Sequence, residues 1–380
     1  MPVPALPLEL TQLIVALAVP PPSFDLLGQQ RQRTLARCAR VCKGWLWAQE
    51  VLYGEVLLAD VGQIKLFART LRDDKRDRRA TLASQVRVLR IGTEWDMREW
   101  YAPAVKRDIV DILRRCRRLH SLFIYRADDL ELNDTLQQLD SLRSLHVAGC
   151  STVGPVTPAL WLRGAPSDGR TFSHISYAST SAIDDVGLPP EICLLFDYRP
   201  TALKVDCLPP IQRIAKDAPH LRYLAVSHFN RPAVVIPGPV SPSLAALASS
   251  ELIFLSCPAG ALRTFDHANP LSHLPSTLRS LRLTSGHFFG NDFLTPFLAS
   301  PDNTLSALEE LILPMRLSTG LAFEALRSWA AQKGVRIVWE KDEEGQGTLH
   351  DELFWCAVQR WEKKIEMEER EWAAQAAAKV

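Results

Sequence analysis

The chain has 380 residues, of which 47% are hydrophobic and 23% charged, which excludes the composition of an intrinsically disordered protein. Because a single core usually stops growing at roughly 250–300 residues, this length predicts several units or a repeat architecture. The 44 Lys and Arg against 43 Asp and Glu leave a formal charge of +1, which excludes a global attraction to nucleic acid or to an anionic membrane.

The N-terminal stretch lacks the pattern of a signal peptide, because no Lys or Arg precedes Arg31 and three prolines, residues 20–22, follow its apolar run. No apolar stretch reaches the roughly 20 residues that a transmembrane helix needs. The eight cysteines include no C-x-x-C pair, which argues against a zinc site and fits a reducing compartment. We therefore expect a cytoplasmic or nuclear protein, or both, with no membrane partner and no cofactor.

The first predicted element is an amphipathic helix that begins near Pro7. Proline suits the first turn of a helix, and the carboxylate of Glu9 is favourable near its N-terminus. The apolar residues of this helix recur at helical spacing: Leu10, Leu13, Ile14 and Leu17. The prolines at 20–22 end it, and a polar connection leads to a second predicted helix from Thr34 to about Tyr53.

Two motifs in these helices resemble the F-box. Its pattern opens with Leu-Pro-x-Glu, found at residues 6–9, and closes with Val-Cys-x-x-Trp, found at residues 41–45. The resemblance covers about residues 4–57, and we assign residues 1–58 to an F-box-like helical module. It implies docking on the Skp-type adaptor of a cullin-based ubiquitin ligase. It also implies a set of residues that contact the adaptor or form the core of the box: Leu6, Pro7, Leu8, Glu9, Ile14, Leu35, Val41, Cys42 and Trp45.

The middle of the box departs from the F-box pattern, because the three prolines and a glutamine-arginine stretch lengthen the connection. The alternative is an unrelated helical domain whose apolar faces form an ordinary core. After the box, residues 59–85 are predicted to form a linker or a first helix. The run at 72–79 mixes both signs of charge, which is typical of a solvated segment.

From residue 86 onward one apolar hexad recurs, with apolar residues at its first, fourth and sixth positions. Each copy predicts a short strand. The six clear copies are Val86-Leu89-Ile91, Leu119-Leu122-Ile124, Leu142-Leu145-Val147, Leu221-Leu224-Val226, Leu278-Leu281-Leu283 and Leu308-Leu311-Leu313. The weaker copies are Phe172-Ile175-Tyr177, Leu203-Val205 and Val335-Ile337-Trp339.

The spacing of the hexads resembles that of leucine-rich repeats, which are roughly 20–29 residues long. Leu203 and Leu224 are 224 − 203 = 21 residues apart, and Leu89 and Leu122 are 122 − 89 = 33 apart. Helices are predicted between strands at 105–116, 211–218 and 321–332, so the strands must be parallel and the coil right-handed.

The Asn or Cys that completes the repeat signature occurs only at Cys150, which predicts an irregular solenoid over residues 86–340. The alternative is an ordinary α/β domain with parallel strands. The arginines at 114–118 follow a helix with acidic residues, so the dipole of that helix accounts for them and no nucleic-acid partner is predicted.

Residues 346–380 predict a C-terminal amphipathic helix. Its apolar stripe is formed by Phe354, Val358, Trp361, Ile365 and Trp372. We predict that it caps the open end of the solenoid, and the alternative is a dimerisation helix.

The fold class is therefore α/β: a helical F-box, an irregular leucine-rich-repeat solenoid with strands on one face and helices on the other, and a capping helix. The sequence has no Gly-rich phosphate loop, no G-x-S-x-G elbow and no H-E-x-x-H motif, so no catalytic residue and no metal ligand are nominated.

The pattern is similar to fungal-type F-box proteins with degenerate repeats. That resemblance implies a non-catalytic receptor subunit of an SCF-type ubiquitin ligase, whose solenoid binds an unknown target protein. The alternative is a repeat scaffold that is not engaged in a ligase.

Overall fold

The computed structural model describes sixteen parts of the chain: residues 33–34, 53–74, 82–92, 103–125, 135, 138–150, 172–179, 199–208, 219–229, 247, 250–258, 271, 274–284, 305–315, 321–340 and 352–377. All nine residues assigned to the F-box lie outside these parts, so the box remains a prediction. The chain divides into two compact units. The first comprises residues 1–168 and 178–182, and the second comprises residues 169–177 and 183–380.

The described residues of the first unit form four parallel strands that pair in sequence order. Its elements are β1 (Glu55–Leu58), α1 (Val61–Asp73), α2 (Leu82–Gln85), β2 (Val88–Ile91), α3 (Pro103–Arg115), β3 (Ser121–Tyr125) and β4 (Ser144–Cys150). Asp60 caps the N-terminus of α1, and its carboxylate accepts a hydrogen bond of 2.8 Å from the backbone N–H of Gln63. That is the usual N-cap arrangement, and it turns the chain into the helix directly after β1.

Helices α1 and α3 pack together beside this sheet. Apolar residues of both helices are buried: Ile64, Phe67, Ala68, Leu71, Val105, Ile109, Ile112 and Leu113. On the outside, Arg72 bonds Asp111 at 2.8 Å and also pairs with Asp108, and Arg115 bonds Asp111 at 3.1 Å. Burial alone would raise the pKa of Asp111, but hydrogen bonds from Arg72 and Arg115 outweigh it and hold that pKa below its usual value.

The second unit contains a longer series of parallel strands, again paired in sequence order. Its elements are β5 (His174–Ser179, of which residues 174–177 belong to this unit), β6 (Ala202–Leu208), β7 (Tyr223–Phe229), β8 (Phe254–Pro258), β9 (Ser280–Thr284), β10 (Glu310–Pro314), α4 (Leu321–Lys333), β11 (Arg336–Glu340) and α5 (Glu352–Ala377).

The strand register confirms the hexads. In the first unit the middle residues of the predicted copies, Leu89, Leu122 and Leu145, are paired neighbours, and Val56 of β1 pairs with Leu89 in the same row. In the second unit they are Ile175, Leu203, Leu224, Leu255, Leu281, Leu311 and Ile337. A repeat unit that places the same position of each copy in one row is what a solenoid requires, so each unit is an irregular α/β solenoid.

Two strands were not predicted. Strand β1 lies in the stretch assigned to the box, so the sheet begins at Glu55 and not at Val86. Strand β8 carries a further hexad, Leu252-Leu255-Cys257, in which a buried cysteine takes the third apolar place. Of the predicted connecting helices, those at 105–116 and 321–332 are α3 and α4, and the one at 211–218 lies outside the described residues. None of the described helices is both long and apolar enough to cross a bilayer.

Candidate interaction surfaces

Every strand of the second unit has two faces, because successive side chains of a strand point in opposite directions. The hexad residues point into the core. The residues between them form what we call the strand face: Ala202, Lys204, Tyr223, Ala225, Phe254, Ser256, Ser280, Arg282, Glu310, Ile312, Arg336, Val338 and Glu340. In an open solenoid this is the face that is available to a partner.

The strand face of the second unit is covered by the C-terminal helix α5. One buried cluster joins the two: Ala202, Tyr223, Ala225, Phe254 and Ile312 from the strands, and Phe354, Ala357, Val358 and Trp361 from α5. The rings of Phe254 and Phe354 lie 5.6 Å apart, centre to centre. The apolar stripe predicted for this helix therefore packs against other residues from Phe354 as far as Ile365. It packs across the strand face and not over the end of the solenoid. Its last member, Trp372, is 73% exposed.

Ion pairs fix the position of α5. Arg279 bonds Glu368 at 2.7 Å and Glu309 at 2.5 Å, and Lys364 also pairs with Glu309. The side chains of Arg279 and Lys364 lie over the ring of Trp361, at 5.1 and 4.7 Å from its centre. Hydrogen bonding to Arg279 lowers the pKa of Glu368 below its usual value, so this contact favours the charged carboxylate.

The buried carboxylate of Glu310 lies where α5 contacts the strand face. Glu310 is only 1% exposed, and its two oxygens accept hydrogen bonds from Arg336 at 2.5 Å, from Arg360 at 2.6 Å and from Ser280 at 3.1 Å. Arg360 belongs to α5, so the helix supplies one of the two cations that compensate this buried charge. Charge pairing and apolar burial thus hold α5 in one register, and the strand face is not free for a partner.

The first unit has a corresponding row on its strand face. Arg90 bonds Glu55 at 2.8 Å and lies 5.0 Å from the ring centre of Phe123, and Phe123 stacks on His146 at 4.1 Å. The register pairs these three strand residues as direct neighbours on β2, β3 and β4. Phe123 and His146 are buried, so these side chains serve packing and do not form an open surface.

A depression of about 530 Å³ lies in the second unit, where β6, β7 and β8 begin. Its lining combines apolar side chains with charges of both signs: Arg199, Thr201, Pro219, His220, Arg222, Tyr223, Glu251, Glu362, Ile365, Glu366 and Glu369. Burial, together with the nearby charge of Glu362, raises the pKa of Tyr223 to about 12, so its hydroxyl stays protonated at physiological pH. The depression is an open, mixed-charge surface next to α5.

Two cysteines of the described core, Cys116 and Cys257, are buried thiols. Burial raises the pKa of Cys116 and of Cys257 to about 12, so both thiols stay protonated near neutral pH. Cys356 on α5 is exposed. We expect iodoacetamide to label Cys356 in the native protein, and Cys116 and Cys257 only after denaturation, as read by mass spectrometry of the tryptic peptides. Rapid labelling of either buried thiol in the native protein would contradict this packing.

Within the described parts of the chain, no three His, Cys, Asp or Glu side chains come together as a metal site would require. No protein-family model matches the sequence, and no curated protein matches it. One solved structure that it resembles is an internalin from Listeria monocytogenes, at 12% identity, with 76% of this chain and 94% of the internalin chain covered and a TM-score of 0.27. A likeness at that level supports no inference about function, and the fold assignment rests on the strand register.

Proposed function

We propose that this chain is a non-catalytic receptor subunit of an SCF-type ubiquitin ligase, whose N-terminal F-box binds a Skp-type adaptor while the repeat units hold a target protein. The observation that supports an interaction role is the in-register series of hexads, because repeats stacked in this way build long, continuous surfaces. The role in a ubiquitin ligase is more specific than an interaction role, and this part of the proposal rests on the sequence motifs of the box.

The N-terminal motifs favour an adaptor-binding module. Leu-Pro-x-Glu at 6–9 and Val-Cys-x-x-Trp at 41–45 stand at the two ends of one short stretch. A helical module of about 50 residues buries too little apolar surface to be more than marginally stable alone, and a bound partner stabilises it by mass action. The motif residues therefore serve a shared interface and the core of the box together.

A receptor acts by proximity. Holding a target beside the ligase raises the local concentration of its lysines near the ubiquitin-loaded enzyme, so no catalytic group is needed on this chain. Because α5 covers the strand face of the second unit, we place the target on the edges at which the strands begin. The second candidate is a repeat scaffold whose box no longer binds the adaptor, and the lengthened middle of the box, with prolines at 20–22, favours it.

A pull-down separates the two candidates. We expect the full chain to retain a purified Skp-type adaptor, and we expect the Leu6→Ala/Pro7→Ala and Trp45→Ala variants to lose it, with affinity reduced at least about tenfold because interface tryptophans often dominate binding. The matched control is Trp372→Ala, which removes an exposed tryptophan at the other end of the chain and should leave binding unchanged. If the full-length protein folds but binds no adaptor, the ligase assignment is wrong and the repeat scaffold remains as the proposed function.

A further inference from the structure

A row of basic residues runs along the first unit where its strands begin. Arg87, His120 and Arg143 are the residues directly before β2, β3 and β4. The N–H of His120 donates to the carbonyl of Arg87 at 2.7 Å, and the N–H of Arg143 donates to the carbonyl of His120 at 2.8 Å. The three are therefore neighbours in space, with their backbones about 4.8 Å apart from one strand to the next.

Two further arginines widen this row. Arg117 and Arg118 precede His120, and the guanidinium of Arg87 donates to the carbonyl oxygen of Arg118 at 3.2 Å. We call the whole set the arginine edge: Arg87, Arg117, Arg118, His120 and Arg143. Four of the five side chains are exposed, and that of Arg87 is half-buried.

The arginine edge differs from the arginines of the chain that are engaged by carboxylates. Arg72, Arg90 and Arg279 each pair with at least one carboxylate. Among the residues that the structure describes, no member of the arginine edge forms such a pair. The nearest acidic residue in sequence is Asp140, three residues before Arg143, and the edge itself brings four guanidinium charges together.

The dipole of α3 favours cations near its C-terminus, but it does not account for the whole row. Helix α3 ends at Arg115, and Arg115 is engaged by Asp111. Arg117 and Arg118 lie beyond the helix, and Arg87 and Arg143 belong to other repeats. Like charges at neighbouring positions repel one another, so a surface that gathers them is stabilised by an anion.

We propose that the arginine edge binds an acidic segment of a partner polypeptide. An extended chain laid across the strand starts presents one side chain about every 7 Å, which is between one and two strand spacings. Guanidinium groups bind carboxylates and phosphates through paired hydrogen bonds. Single-stranded nucleic acid fits less well, because its binding sites stack successive bases on several aromatic side chains, and the edge contributes only the imidazole of His120.

This inference names the chemistry of the target and so rests on the proposed function. Adaptor binding and segment binding are measured separately, so each can fail alone. A folded protein that binds the adaptor but no acidic segment would overturn only the inference. A protein that binds the segment but no adaptor would leave the inference standing for a scaffold.

The test is fluorescence anisotropy of the full chain with a short labelled peptide of alternating Glu and Gly. We expect binding that weakens as salt is added, and no binding of the same peptide with Gln in place of Glu. The Arg118→Glu/Arg143→Glu variant should lose at least about tenfold in affinity, and the milder Arg118→Gln/Arg143→Gln variant should lose several-fold. If the charge reversal impairs folding, the Arg118→Gln/Arg143→Gln variant tests the proposal by itself.

The matched control is Lys65→Glu/Arg69→Glu, which reverses two charges at exposed positions of α1 outside the arginine edge and should keep the affinity within about twofold. A phosphoserine peptide that binds more tightly than the Glu peptide would support the proposal and identify phosphate as the preferred anion. Equal binding by wild type and both arginine variants would overturn it. So would a short RNA that binds more tightly than either peptide through the same arginines.

Discussion

Phe354→Ala is expected to lower the free energy of unfolding of the second unit by about 3–5 kcal/mol, the usual range for removing a buried phenylalanine. The side chain is 0% exposed and packs against Phe254 of β8 and Trp355 of its own helix. Truncation opens a cavity between α5 and the strand face, which neither can close because ion pairs fix both sides. The loss combines the transfer free energy of the ring with the cost of that cavity.

Urea unfolding followed by circular dichroism measures this effect. The matched control is Trp372→Ala, which removes a still larger aromatic side chain from the same helix, but from an exposed position. It should change the free energy of unfolding by no more than about 0.5 kcal/mol. Equal effects of the two substitutions would mean that α5 does not pack on the strand face in solution.

Most strands could be predicted from the sequence because the hexad places three apolar residues on one face of a short strand. The register needed only that equivalent positions align, as Leu224, Leu255 and Leu281 do. Strand β8 was missed because Cys257 stands where the other copies have an aliphatic residue. Strand β1 was missed because its residues lie at the end of the stretch assigned to the helical box, directly after a predicted helix.

The position of α5 could not be predicted from its own sequence. An apolar stripe indicates only that one side of a helix is buried. It is equally consistent with packing on the end of the solenoid, in a dimer interface or on a sheet face. What decides the matter is the strand face itself, where Phe254 and Ile312 occupy positions between hexad residues. Apolar residues at those positions indicate a covered face, and this signal could have been found in the sequence.

The arginine edge was only partly visible in the sequence. The run at 114–118 stands out as a cluster, and a helix dipole explains its first two members. Arg87 and Arg143 are isolated in sequence, and only the parallel register brings them beside His120. A surface assembled from three repeats depends on register, and register cannot be read from any one repeat.

The Arg336→Ala/Arg360→Ala variant is expected to destabilise the second unit by about 3–5 kcal/mol, because it leaves the carboxylate of Glu310 buried with only Ser280 as a hydrogen-bond donor. Glu310→Gln should cost less, about 1–3 kcal/mol. The asymmetry has a physical cause. Glu310 is 1% exposed, whereas the side chains of Arg336 and Arg360 are 68% and 49% exposed and stay hydrated when their partner is removed.

Urea unfolding of the Glu310→Gln and Arg336→Ala/Arg360→Ala variants measures this difference in the free energy of unfolding. The matched control is Arg69→Ala/Arg370→Ala, which removes two arginines from exposed pairs within helices and should cost about 0–1 kcal/mol. If the Arg336→Ala/Arg360→Ala variant were no less stable than Glu310→Gln, the carboxylate of Glu310 would have to become hydrated although it is buried in the structure. Because Arg360 belongs to α5, a large loss in the double variant would mean that this helix supplies the charge that makes a buried glutamate tolerable on the strand face.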